Sequence, residues 1–366
     1  MKVLRWHWAY AYRATCPLFT IMLLSCSTEP ALQYDVPHGR RPDGLLKYSL
    51  VFFIHGDGDY LYHDAFGKPR NADEVTVLKA RSIAEGNLHT EVFIFHEKRK
   101  RHTFVFFPQR DGEFFYYRNG RLDVHERYWR DERNSSFGYE TEMYRRFHTA
   151  EGKDVKKIVF FFGHEIPEFD GEDYNASYAD RPFTVDTLAE CLREFQGAHR
   201  PFDLVVLSTC YNGTPYTISA IAPYARYIVA SPDNLHLSYF TIPSFGQSDS
   251  AASNETIEAW TKKFARDAFD TLAATVYTAV SVATYDASIV QTYVRTVDTI
   301  YNRSLSKVKE YPAASREHCD CSSIPEFIQP DMNRGVEVYY KPSRFGRSKH
   351  VPNHSGWECW KITGSP

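Results

Sequence analysis

The sequence predicts an α/β protein with a mainly parallel sheet covered by helices, and three observations carry that expectation. Short apolar runs rich in β-branched and aromatic residues recur at 48–54, 91–95, 156–162 and 202–207. Unbroken runs of that length read as strands buried on both faces. Segments of helical spacing separate several of them, the alternation expected of parallel strands joined by crossover helices. Turn residues then follow three of the runs: His55-Gly-Asp-Gly-Asp59, Gly163-His164-Glu165 and Ser208-Thr209-Cys210.

Taken in order, Tyr48–Ile54 is the first strand. Residues 72–86 place Val75, Val77, Leu78, Ile83 and Ala84 near helical spacing, and Gly86-Asn87 stops them. After the strand at 91–95, His102–Phe107 and Glu113–Tyr117 flank Pro108–Gly112 and read as a hairpin. Residues 119–140 are polar and read as irregular, with a helix at Glu140–Phe147. The strand at Lys156–Phe162 leads through an acidic loop to a helix at Val185–Phe195. The strand at Phe202–Leu207 is followed by a helix at Pro215–Ala222 and a strand at Tyr227–Val229. Residues 255–309 have a helical pattern, read as two helices divided near Ser281–Asp286, and Val336–Tyr340 is strand-like. The expected organisation is a leader at 1–25, a tether at 26–45, a catalytic-type α/β domain at 46–250 and a helical, loop-rich extension at 251–366 packed on it.

The 366 residues carry 43 Lys plus Arg against 46 Asp plus Glu, which argues against a general nucleic-acid binder. Near the start, Lys2, Arg5 and Arg13 precede an apolar run from Pro17 to Leu24, and no acidic residue comes before Glu29. That run is too short for a bilayer, which takes about 20 residues, and suits a secretory leader. Leu23-Leu24-Ser25-Cys26 resembles a bacterial lipobox, with Cys26 as the lipidation site. The expectation is an exported lipoprotein held in a membrane, at the outer membrane or surface of a Gram-negative cell. The seven cysteines include five beyond that site, so at least one of those five is unpaired within the chain. Cys319-Asp320-Cys321 is too cramped for a zinc knuckle. A disulfide from Cys319 or Cys321 to Cys359 is the expected use.

Ligands of open parallel sheets bind beyond the carboxyl ends of the strands. His164 and Cys210, 46 residues apart, follow two such ends. A thiolate is a strong nucleophile, and a neighbouring imidazole lowers its pKa or takes its proton. From the spacing alone, a reactive pair and two packed strand-end residues are equally good readings.

The residues then carry a resemblance. Phe202-Asp-Leu-Val-Val-Leu-Ser-Thr-Cys210 and Ile221-Ala-Pro-Tyr-Ala-Arg-Tyr-Ile-Val-Ala-Ser231 resemble the nucleophile region of the clostripain family of cysteine peptidases. Lys157–Glu165 is similar to the strand that ends in that family's catalytic His, and Gly356-Trp357 to its closing segment. The resemblance implies a caspase-like α/β/α fold and peptide-bond hydrolysis, with Cys210 as nucleophile and His164 as general base and acid. Two positions depart from the pattern. Glu165 stands where the family has Gly, and its backbone N–H or its charge lies beside the pair. Ser208 stands where members that cut after Arg or Lys carry an acid, so Glu165, Asp59 or Asp233 would have to supply a negative pocket.

His55, Asp59, Ser208, Ser231 and Asp233 are the expected substrate-pocket residues. Asp57, Asp59, Asp170 and Asp173 are candidate calcium ligands, because several family members need that ion, although no calcium-loop spacing is present. No cofactor is required. The expected partners are a peptide or protein substrate and a membrane, reached through the lipid anchor. The alternative is a degenerate relative that keeps the fold as a surface binding module. A serine hydrolase is excluded for want of a Gly-x-Ser-x-Gly elbow, and Walker-type and dinucleotide glycine motifs are absent.

Overall fold

The computed structural model describes residues 46–56, 61–63, 69–98, 102–103, 107–130, 137–150, 152, 154–168, 183–197, 200–232, 235, 256–290 and 335–344. Their centre is a sheet of nine strands: β1 (Tyr48–His55), β2 (Thr90–Glu97), β3 (Gly112–Arg118), β4 (Arg121–Tyr128), β5 (Lys156–Phe162), β6 (Phe202–Ser208), β7 (Ala225–Ala230), β8 (Val280–Asp286) and β9 (Val336–Lys341). The order across the sheet is β9-β8-β7-β6-β5-β1-β2-β3-β4. The five middle strands, β7 to β2, are parallel. Each flank adds an antiparallel pair. This is the mixed α/β architecture with a mainly parallel central sheet that the apolar runs predict.

Strand alternation divides the core into two layers. Val51, Phe53, Val159 and Phe161 face one way and pack with α2 (Gly138–Phe147), α3 (Val185–Gln196) and α4 (Pro215–Ile221) through Tyr144, Leu192 and Ile218. Leu50, Phe52, Ile158 and Phe160 face the other way, against α1 (Ala72–Gly86) and α5 (Ile257–Thr275) through Ala80, Phe264 and Leu272. Stacked phenylalanines run through both layers, as in the Phe52–Phe160 stack at 4.8 Å and the Phe53–Phe95 stack at 5.4 Å. Each such ring contributes roughly 1.5–3 kcal/mol by leaving water. The high aromatic content therefore goes into the sheet's two faces.

The chain runs from β1 through α1 to β2 on one side, then returns to place β5 on β1's other side. From there α3 and α4 cover the opposite face. The sheet order thus reverses between β1 and β5, the kind of place at which ligands of open α/β sheets bind.

Three expectations are corrected. Pro108–Gly112 does not turn a hairpin between 102–107 and 113–117. The hairpin joins β3 to β4 through Asn119-Gly120, whose φ angles of +51° and +79° suit an Asn-Gly hairpin turn. Residues 121–128, expected as irregular, are an edge strand. Only Val124 and Tyr128 of it are buried, and its charged residues guard the edge. The interruption near 281–286 is β8, buried between β7 and β9. The segment read as a helical extension thus supplies α5 and two strands of the same sheet.

A buried carboxylate fixes the amino end of this sheet. Glu91 on β2 is fully buried and accepts from Ser49 Oγ (2.7 Å), His148 Nδ1, Thr149 N (2.9 Å), Thr149 Oγ1 (3.2 Å) and Ala150 N (3.2 Å). These contacts anchor the segment that leads into β5. Burial opposes ionisation of Glu91. The His148 hydrogen bond and charge, with Ser49 and Thr149, outweigh it and hold the carboxyl below its ordinary value. The resulting stabilisation is complete above the ordinary value of 4.5 and is lost as pH falls through the lower folded value. Glu91→Gln should therefore cost about 3 kcal/mol at neutral pH. Urea unfolding followed from pH 7 down to pH 3 should show a flatter acid limb in the variant than in the parent.

Candidate active site

The site is built on the register of β5 and β6. Phe162 pairs with Ser208, the last rung of that ladder, and Ile54 of β1 pairs with the same Phe162. Two residues beyond the rung stand His164 and Cys210, each half-buried where its strand gives way to a loop. Gly163 lies against β1, where an added Cβ would come 3.2 Å from the His55 Cβ. A side chain there would make His55 or the loop shift by a few tenths of an ångström.

A second rung lies on the far side of the pair. Ile166 N donates to Asn212 Oδ1 at 2.9 Å, and Asn212 Nδ2 donates to Ile166 O at 2.9 Å. The Asn212 carboxamide thus imitates a strand backbone, at 1% exposure. Glu168 adds a further tie. It accepts from Thr214 Oγ1 and from Thr217 Oγ1 (3.1 Å) at the start of α4, where Thr214 is also the N-cap. The loops after β5 and β6 are joined at three residues.

Cys210 precedes a strained turn. Tyr211 has φ +55°, a left-handed conformation unusual for an aromatic residue, and strain of this kind collects at functional sites. Gly213 then passes so close to the β7 loop that a Cβ would meet Pro232 N at 2.6 Å and Ser231 C at 2.8 Å. Its N–H donates to Ser231 O at 2.8 Å, and Tyr285 Oη donates to its carbonyl at 3.1 Å. From the same β7 side, Leu235 N–H points at Cys210 Sγ at 3.4 Å, and the thiol faces Leu235 O at 3.5 Å. The N–H supports a thiolate and the carbonyl supports the thiol, so the Leu235 backbone can accompany the sulfur in either form.

Three expected pocket residues lie in the interior. His55 is 4% exposed, with its ring against Phe161 (4.4 Å) and Phe183 (5.3 Å) and its Nε2 3.5 Å from Glu97. Glu97 in turn meets Arg130 at 3.2 Å, which holds Asp111 at 3.1 Å. Ser208 is fully buried as the last strand residue of β6, and Ser231 is fully buried, donating to Ser281 O at 2.6 Å. His55 and Ser208 end their strands and Ser231 follows the end of β7, and all three are buried. Glu165 is half-buried beside His164. Asp57, Asp59, Asp170, Asp173, Asp233, Cys26, Cys319, Cys321 and Cys359 lie outside the described residues. Among the described residues, no group of three His, Cys, Asp or Glu side chains could hold a metal ion. The sequence reading missed Asn212, Leu235 and the tie made by Glu168. The pairs Ile166–Asn212 and Glu168–Thr214 repeat the 46-residue offset of His164 and Cys210, a spacing that gains meaning only once the strand register is known.

A separate cavity of about 340 Å³ lies between α1 and β2, lined in part by Asp73, His96, Lys98, Glu113 and His125. Its charges pair with one another, His96 Nε2 with Asp73 at 2.9 Å and His125 Nε2 with Glu113 at 2.8 Å. No Ser or Cys lines it.

Gly213→Ala should destabilise the fold by about 1–3 kcal/mol, because the neighbours in the way are backbone atoms. It should also slow alkylation of Cys210, as the turn that carries the thiol is displaced. Thermal unfolding and adduct mapping by mass spectrometry test both; an unchanged variant would contradict this packing.

No family model matches the chain, and no curated protein matches it in sequence. Among solved structures it is similar to an inactive zymogen C11 protease from Parabacteroides distasonis, at 15% identity and a TM-score of 0.48, over 70% of this chain and 67% of that one. It is also similar to a secreted C11 cysteine protease, iotapain, from Bacteroides thetaiotaomicron (12%, 0.46, 70% and 71%). A structure of a secreted C11 protease from that organism with an irreversible peptide inhibitor gives 12%, 0.45, 70% and 71%. The solved structures that this chain resembles are thus clostripain-family cysteine proteases of caspase-like fold.

Proposed function

We propose that the chain is a cysteine endopeptidase in which Cys210 attacks the peptide carbonyl and His164 moves the protons. The observation that supports this reading is the shared register, which carries both residues two positions past one ladder rung, one strand away from the reversal of the sheet order. In the proposed reaction His164 takes the Cys210 thiol proton, and Sγ bonds to the scissile carbonyl carbon. Collapse of the tetrahedral adduct breaks the C–N bond. The departing amine takes the proton from His164, leaving a thioester on Cys210. Water then attacks the thioester and gives a proton to His164; the C–S bond breaks, the acid leaves, and His164 returns the proton to the Cys210 sulfur. The Leu235 N–H supports the thiolate before attack.

A peptide library incubated with the protein should be cleaved. Cys210→Ala should abolish turnover, and His164→Ala should lower kcat by about 10²–10⁴-fold. The binding-module reading draws support from the Leu235 backbone, which engages the sulfur as donor and as acceptor. Peptide binding with no cleavage, unchanged in Cys210→Ala, would favour that module over the peptidase.

The proposed peptidase is exported and membrane-tethered by acylation of Cys26, as the lipobox-like run supports. No helix among the described residues is long and apolar enough to cross a membrane. Cys26→Ala should release the protein from membranes and abolish incorporation of a fatty-acid label. Undiminished labelling of that variant would rule the anchor out.

A further inference from the structure

The proposed dyad is bracketed. Two residues before it, Phe162 and Ser208 are locked by the β5–β6 ladder. Two residues after it, Ile166 and Asn212 are locked by two hydrogen bonds of 2.9 Å. Both brackets span the 46-residue offset of His164 and Cys210 themselves. Without the second bracket each loop would be fixed at one end only, and the distance between imidazole and sulfur would follow loop motion.

We infer that Asn212 is a positioning residue, whose carboxamide acts as a ladder rung beyond the strand ends and sets the separation of His164 from Cys210. This rests on the dyad reading above. The chemistry of the amide explains why this residue type serves. A carboxamide offers one acceptor and one donor in a plane, the same pair that a backbone peptide presents. Ile166 has both of its backbone groups satisfied by it. A carboxylate at this position could accept from Ile166 N–H but would face the Ile166 carbonyl without a proton to donate. Burial at 1% exposure keeps water from replacing either bond. The neighbouring constraints act together with it. Gly213 pins the same loop to β7, and Glu168 pins the end of the His164 loop to α4. Asn212 is the residue among these that ties the two reacting loops to each other nearest the dyad.

The test compares parent, Asn212→Ala, Asn212→Asp and His164→Ala. The readouts are the pH dependence of iodoacetamide alkylation at Cys210, mapped by mass spectrometry, and kcat and KM for a cleaved peptide. In the parent, alkylation should continue to low pH because the imidazole supports the thiolate, and His164→Ala should move its midpoint upward. Asn212→Ala should move the midpoint toward that of His164→Ala. It should also lower kcat by about 10–100-fold with KM within about threefold, since a displacement near 1 Å costs that order of rate. Asn212→Asp, of equal size, should give a smaller loss of the same kind and keeps the test open if the alanine variant does not fold. An Asn212→Asp protein with the parental pH profile and kcat overturns the positioning role while leaving the dyad intact. If His164→Ala itself leaves the alkylation profile unchanged, the dyad reading fails and the positioning role falls with it.

Discussion

The pairing of Phe162 with Ser208 is the constraint on which the rest of this structure depends. A parallel ladder fixes where each strand stops relative to its neighbour, and the loops start from those stops. A slip of one residue would turn the side chains of β6 to the opposite layer, exchanging Val205 and Leu207 with Leu204 and Val206. Both helix layers resist that exchange, so the register is held by the whole core. His164 and Cys210 inherit it. The precision of the site is therefore a property of buried Phe, Val and Leu side chains that have no chemistry of their own.

Polar groups finish what the ladder begins, and they divide by position. At the amino end of the sheet, Glu91 gathers donors from the segment that feeds β5. At the carboxyl end, Glu97 sits between His55 and Arg130 beneath the β1 loop. Between the two reacting loops stand Asn212 and Glu168. Buried carboxylates and amides are costly unless their hydrogen bonds are made, and here each is used to join segments distant in sequence. Tyr211, with φ +55°, is the strained point among the described residues of the β6 loop.

The layered fold was legible because its strands are continuous apolar runs, and such runs have few other ways to be buried. What escaped were segments whose fate is decided by neighbours. β4 alternates charged residues with few apolar ones, as an edge strand does, and its Asn119-Gly120 signal was passed over. β8, Val-Ser-Val-Ala-Thr-Tyr-Asp, lies after a true helix and takes its form from pairing with β7. The positions of His164 and Cys210 just past two strand ends were legible. The burial of His55, Ser208 and Ser231 was not legible, because a strand end seen in sequence does not show how deeply its last side chain is covered. Asn212 was invisible for a similar reason: an amide that pairs with backbone 46 residues away gains its meaning only from the register.

The central claim is that Cys210 is an activated nucleophile in a peptide-binding crevice. The most direct measurement is covalent capture with a small panel of peptidyl acyloxymethyl ketones, followed by mass spectrometry of the digested adduct. The account predicts a single adduct on Cys210, formed faster with a peptide than with its amino-acid-only analogue and greatly slowed in His164→Ala. An adduct spread over several cysteines, or one on Cys210 at a rate indifferent to both the peptide and His164, would contradict it.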